Sequence, residues 1–178
     1  MSVFEPQDEL GQDMAFRLLA TTSVTKFWRR QVLDTTIEWL VERGYQVAVM
    51  DASTWSTESD LHREIASALS FPDYYGRNID ALNDCMRDVV AHEYGWASEA
   101  TGLALAFTGY DRFAAACPRS AHVVLDLMAN HSRTAALFGG RLMCLVQSDD
   151  PLIRFDDVGA TPVTWNDAEW SDSSRHTG

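Results

Sequence analysis

Between residues 31 and 43 the pattern is that of an amphipathic helix, with Val32, Leu33, Thr36, Ile37, Leu40 and Val41 read as its inward face and Gly44 placed to stop it. Residues 45–50 follow as a buried strand. Thr57 or Ser59 caps the next helix, which runs to about residue 70 and is ended by Pro72. From Ile79 onward, apolar residues at 79, 82, 86 and 89, with Cys85 beside them, predict an amphipathic helix over 79–91, and Asn78 is a good N-cap for it. A glycine-containing connection over 94–102 leads to a strand at 103–107. A short helix near 112–116 and a longer one over about 121–138 precede a strand at 141–147. Residues 15–20 and 24–28 read as short strands around Thr21-Thr22-Ser23, or as one strand and a loop. Residues 1–13 are polar and acidic and read as loose. The end, from Ser148, reads as loop with room for an edge strand at 162–165 and disorder over 171–178.

Strands separated by helices predict an α/β fold with a parallel sheet covered by helices. At 178 residues and 46% hydrophobic, the chain can bury one good core, whereas two full domains would be a stretch. The expected organisation is one domain in three parts: a βα extension over 1–44, a central unit over 45–147, and a C-terminal loop region over 148–178.

The formal net charge of −12 argues against a nucleic-acid or anionic-membrane partner, because a phosphate-bearing surface needs a basic footprint. The same charge suits a basic protein, which complementary potentials would steer into contact. The start of the chain has neither a basic n-region nor an apolar h-region, so no signal peptide is expected. Three scattered cysteines, Cys85, Cys117 and Cys144, fit reduced thiols, and a cytoplasmic location is expected.

The helix over 79–91 carries Asp80, Asp84 and Asp88 on its polar face, each four residues after the last. Like charges at that spacing oppose one another by a few tenths of a kcal/mol per pair. Such a row is either an ordinary solvated face, with Asp80 complementing the helix dipole and Arg87 neutralising Asp84, or charge held for a partner.

The string Phe71-Pro-Asp-Tyr-Tyr-Gly-Arg-Asn-Ile-Asp-Ala-Leu-Asn-Asp-Cys-Met86, with Ser59-Asp-Leu-His-Arg-Glu-Ile before it, resembles the barstar family of intracellular ribonuclease inhibitors. The register is unbroken from about Val49 to Val89, and a looser likeness extends over about 45–147. The resemblance implies a barstar-like fold, with a small three-stranded parallel sheet flanked by helices and extended here by the N-terminal βα unit. It implies a non-enzymatic protein without cofactor or metal, binding a small basic ribonuclease of the barnase type one to one. Asp84 matches the acid that plugs the nuclease active site, and Asp80 the second acidic contact, one turn earlier. Tyr74 matches an aromatic contact in the turn, while Gly76, Asn78 and Ile79 match positions that pack on the nuclease.

Three departures from the family pattern stand out. Asn83 occupies the place of a tryptophan just before the key aspartate, so an aromatic contact is lost. Arg77 replaces an acid in the turn, and Arg87 adds a second cation to the face. The acidic contact expected from the long helix falls near Asn130, with Asp126 one turn earlier.

Other residues read as structural. Of Tyr74 and Tyr75, the second is expected to pack inward, and Cys85 is expected to be a small buried hydrophobe. His62, His92 and His122 lack metal-ligand spacing, and no phosphate-binding or nucleophile motif is present. Trp39, Trp55, Trp96, Trp165 and Trp170 read as packing residues. The first functional expectation is therefore ribonuclease inhibition. The alternatives are a barstar-fold module for a non-nuclease basic protein and, least favoured, an enzyme using Asp84 with a histidine.

Overall fold

A computed structural model of the chain describes residues 14–20 and 22–176. Its centre is a parallel sheet of five strands in the order β2-β3-β4-β1-β5. The strands are β1 (Val24–Phe27), β2 (Gln46–Asp51), β3 (Leu103–Thr108), β4 (Leu142–Gln147) and β5 (Thr164–Trp165). The helices are α1 (Met14–Ala20), α2 (Arg30–Glu42), α3 (Glu58–Ala68), α4 (Ile79–Val90), α5 (Tyr110–Ala116) and α6 (Pro118–Leu137). The fold is thus the expected α/β arrangement, with five strands in its sheet.

β3 and β4 are buried along their whole length, as a strand covered on both faces must be, which is why both read as unbroken apolar runs. Their side chains alternate between two cores. Leu103, Leu105, Phe107, Leu142, Cys144 and Val146 pack in one with residues of α3 to α6. Ala104, Ala106, Met143 and Leu145 pack in the other with Leu33 and Leu40 of α2 and Ala15 and Leu18 of α1.

β1 lies beside β4, with Val24 opposite Cys144 and Phe27 opposite Gln147, and β5 adds two residues beyond it, Thr164 opposite Thr25 and Trp165 opposite Lys26. Residues 15–20, expected as a strand or a loop, are instead part of α1. Seven residues carry too little period to choose a state, and burial of Ala15 and Leu18 on the helix side of the sheet chooses it. The loose segment expected over 1–13 lies outside the described residues, as do Thr21 and the last two positions of the tail.

Disorder over 171–178 is corrected where the chain is described. Residues Ser173–His176 form a 3₁₀ turn, and Arg175 within it is 6% exposed. Its guanidinium donates to the carbonyls of Glu169, Pro151 and Trp170 and lies 4.5 Å from the Trp165 ring centroid. Lys26 packs over the same indole and donates to the Ile153 carbonyl at 3.1 Å. Burial, and then the nearby Arg175 and Arg154, lower its ammonium pKa to about 8. Trp170, expected as packing, is 61% exposed. Trp55 and Trp96 are buried, and Trp39 and Trp165 half-buried.

Candidate binding face on helix α4

The face is assembled from the start of α3 onward. Asp60 accepts from the Thr57 backbone N–H and hydroxyl, at 2.9 and 3.0 Å, so Thr57 rather than Ser59 opens α3. Those bonds, with one from the Ser56 N–H, hold the Asp60 carboxyl down at about 2. The helix closes at Ser70, whose φ of 53° lies in the left-handed region, while the Phe71 N–H reaches back to the Ala66 carbonyl at 2.9 Å. Pro72 stands just beyond that closure and keeps the chain from continuing the helix.

Pro72 to Tyr75 form a tight turn, closed by Tyr75 N–H donating to the Pro72 carbonyl at 2.9 Å. The turn sends its two tyrosines opposite ways. Tyr74, at the tip, is 79% exposed, whereas Tyr75 is buried with its hydroxyl 2.5 Å from His62 Nδ1. Tyr75 therefore packs inward as expected. Phe71 meets its ring edge to face, with centroids 4.9 Å apart. His62 Nε2 lies 3.3 Å from Glu58, whose other oxygen accepts from Ser120.

Gly76, Arg77 and Asn78 carry the chain into α4. Arg77 sits at φ 49°, exposed. Asn78 caps the helix, accepting from the Ala81 N–H at 2.9 Å, and its amide donates back to the Gly76 carbonyl. A Cβ at Gly76 would stand 3.3 Å from the Asn78 amide nitrogen, so a larger residue there would press on the cap. Ile79 is half-buried, and Leu82, Cys85, Met86, Val89 and Val90 are buried. Replacing a fully buried Leu82 or Met86 by alanine would cost roughly 2–5 kcal/mol, which measures how firmly α4 is held.

With that face committed to the core, Asp80 and Asp84 point to solvent, one turn apart. Arg87 donates to Asp84 at 3.0 Å, and both side chains are about two-thirds exposed, at 64% and 68%. Asp88 does not continue the row. It is half-buried and accepts from the Tyr94 hydroxyl at 3.1 Å. The exposed acids of α4 are thus Asp80 and Asp84.

Asn83 is half-buried and its Oδ1 lies 2.9 Å from Nε2 of His131 on α6. His131 carried no signal in the sequence, since a single histidine inside an amphipathic helix has no partner visible in spacing. On the same helix, Asn130 is exposed and bonded to Asp126 and Arg133. Asp126 accepts from the Gly159 N–H at 2.7 Å, so one carboxylate oxygen holds the C-terminal loop. Among the described residues no three His, Cys, Asp or Glu side chains gather as a metal site would require. No helix of the described residues is long and apolar enough to cross a membrane.

Residues 45–147, more than half of the chain, match the family described as Barstar (barnase inhibitor). A protein of Bacillus subtilis (strain 168) named "Putative ribonuclease inhibitor YrdF" is 45% identical over 38 residues, which cover 21% of this chain and 42% of that protein. The chain therefore spans less than half of that relative's length. The matched family region holds β2, β3 and β4, the helices between them and the whole candidate face, and the chain belongs to the barstar family.

Proposed function

We propose that this protein inhibits a ribonuclease of the barnase type, binding it one to one and seating the Asp84 carboxylate where a substrate phosphodiester would lie. The carrying observation is the outward pair Asp80 and Asp84 on a helix whose other face is locked into the core, with the Tyr74 ring exposed at the turn beside it. Inhibition of this kind needs no turnover, only fixed negative charge aimed at the nuclease cations. A carboxylate on a rigid helix suits it, because it can accept paired bonds from a guanidinium. The net charge of −12 favours a basic target and rapid encounter. A cytoplasmic site of action fits three unpaired thiols.

The test is a titration into small secreted ribonucleases of the barnase type, reading RNA cleavage. Cleavage that falls linearly to zero at one equivalent supports the proposal. Unchanged cleavage by every such nuclease contradicts it. The second reading, a module for a basic protein that is not a nuclease, draws on Arg87 being paired with Asp84 and on Asn83 being turned onto His131. Both make this face less acidic and less aromatic than the family pattern implies.

A further inference from the structure

Position 83 directly precedes Asp84 on the flank of the face turned toward α6, and its amide is held by a side chain of that helix. Asn83 Oδ1 stands 2.9 Å from His131 Nε2, across the contact between α4 and α6. The imidazole is 7% exposed, and its other nitrogen, Nδ1, is buried without a hydrogen-bond partner. A neutral imidazole has one N–H to place, and an amide oxygen can only accept. Nε2 therefore carries the proton and donates to Asn83. Burial, and next the Arg87 guanidinium, hold the His131 pKa below its usual value, so the ring stays neutral and keeps this tautomer. A second proton would sit on Nδ1, where no acceptor stands.

Fixing the amide oxygen inward fixes the other arm. Asn83 is half-buried, and its Nδ2, the other arm of the amide whose oxygen faces His131, makes no hydrogen bond with a described residue. We propose that His131 is a positioning residue for the binding face: through Asn83 it presents an N–H₂ donor beside Asp84, and the partner it fits sets a hydrogen-bond acceptor, next to the cations that meet the acids, against α4. This rests on the inhibitor reading and adds to it a residue on a second helix and a polarity at position 83. A partner that placed a third cation there would meet a donor and leave both groups unpaired, so the same arrangement also selects against such partners.

The experiment measures affinity for the barnase-type nuclease that the wild type inhibits, with thermal stability recorded beside it. N83L and H131F are each expected to weaken binding about 5–30-fold, and the double variant no more than the worse single one, because both remove one oriented donor. H131Q, whose amide can again donate to position 83, is expected to recover most of the loss. N83D has no donor to offer and is expected to weaken binding, although it adds negative charge facing a basic partner.

If H131F and H131Q lower stability and leave affinity within twofold, the pair is only a tie between helices and the inference is wrong. Tighter binding by N83D overturns the acceptor assigned to the partner. Should H131F not fold, N83L and N83D still decide. A wild type that binds no such nuclease contradicts the functional reading itself, and this inference falls with it; that outcome is seen before any variant is made.

Discussion

Arg87 donates to the Asp84 carboxylate at 3.0 Å on the open face of α4, so one of the two outward acids of that helix already holds a cation of its own. Both groups are about two-thirds exposed, and an ion pair in that setting contributes about 0–1 kcal/mol to stability. Arg87→Ala is expected to leave the unfolding free energy within about 0.5 kcal/mol of wild type. It should raise the association rate with a basic nuclease several-fold, because a repelling charge leaves the face. Stopped-flow binding at low and high salt checks this, and an unchanged or slower on-rate would contradict it.

The two adjacent tyrosines separate binding from stability. Tyr75→Phe removes the hydroxyl that meets His62 and is expected to cost roughly 1–3 kcal/mol of stability while leaving nuclease affinity nearly unchanged. Tyr74→Ala should do the reverse, weakening binding without moving the melting temperature, since the ring is exposed at the tip of the turn. Urea melts and affinity measurements on the two variants are the check.

His131 predicts an acid-sensitive step. Its folded pKa is lowered, mainly by burial and then by Arg87, relative to an unfolded imidazole near 6.5. The neutral ring therefore stabilises the fold fully above about pH 6.5, and that contribution is lost as pH falls through the lower folded value. Stability measured by urea unfolding should decline from pH 7.5 to 5 in the wild type and decline less in His131→Gln. Parallel curves for the two proteins would show that His131 has no part in it. At lower pH, Asp60 and Asp172, each held at about 2 by hydrogen bonds, add a further loss as the solution falls from about pH 4 toward 2.

Glu169 ties the C-terminal region to the start of α2. Its buried carboxylate accepts from the backbone N–H groups of Trp28 and Arg29, both at 2.8 Å, and from the Asn166 amide. Glu169→Ala would strand these donors and is expected to cost at least about 2 kcal/mol. Asp167→Ala, which removes only an exposed ion pair with Arg17, should cost less than about 0.5 kcal/mol. Equal melting temperatures for the two variants would contradict the assignment.

Glu169 also marks where sequence reasoning stops. α2 and α4 were legible because each presents a sustained helical period, and β3 and β4 because each presents an unbroken run of five apolar residues. The cap at Asn78 and the outward placement of Asp80 and Asp84 were legible because cap chemistry and helical spacing fix them, whereas which of the adjacent Tyr74 and Tyr75 turns inward had no periodic signal behind it. Single polar residues buried from loops or helices, such as Glu169, Arg175 and His131, leave no periodic trace. Their roles depend on partners as much as 141 residues away in the chain, as Glu169 and Trp28 show. Asp88 reads as a third outward acid at i+4, and only the Tyr94 hydroxyl draws it partly inward.

The central claim is that Asp84 carries the largest single share of binding while contributing little to the fold. The direct measurement is the dissociation constant of Asp84→Ala for a nuclease the wild type inhibits, with thermal unfolding of the same sample. Central interface residues cost roughly 2–8 kcal/mol when truncated; barstar itself supplies the extreme of that range, so the figure is a family reference. An affinity loss of at least about 30-fold, which is about 2 kcal/mol, is expected with the melting temperature unchanged. Affinity within threefold of wild type, in a variant that folds normally, would contradict the account.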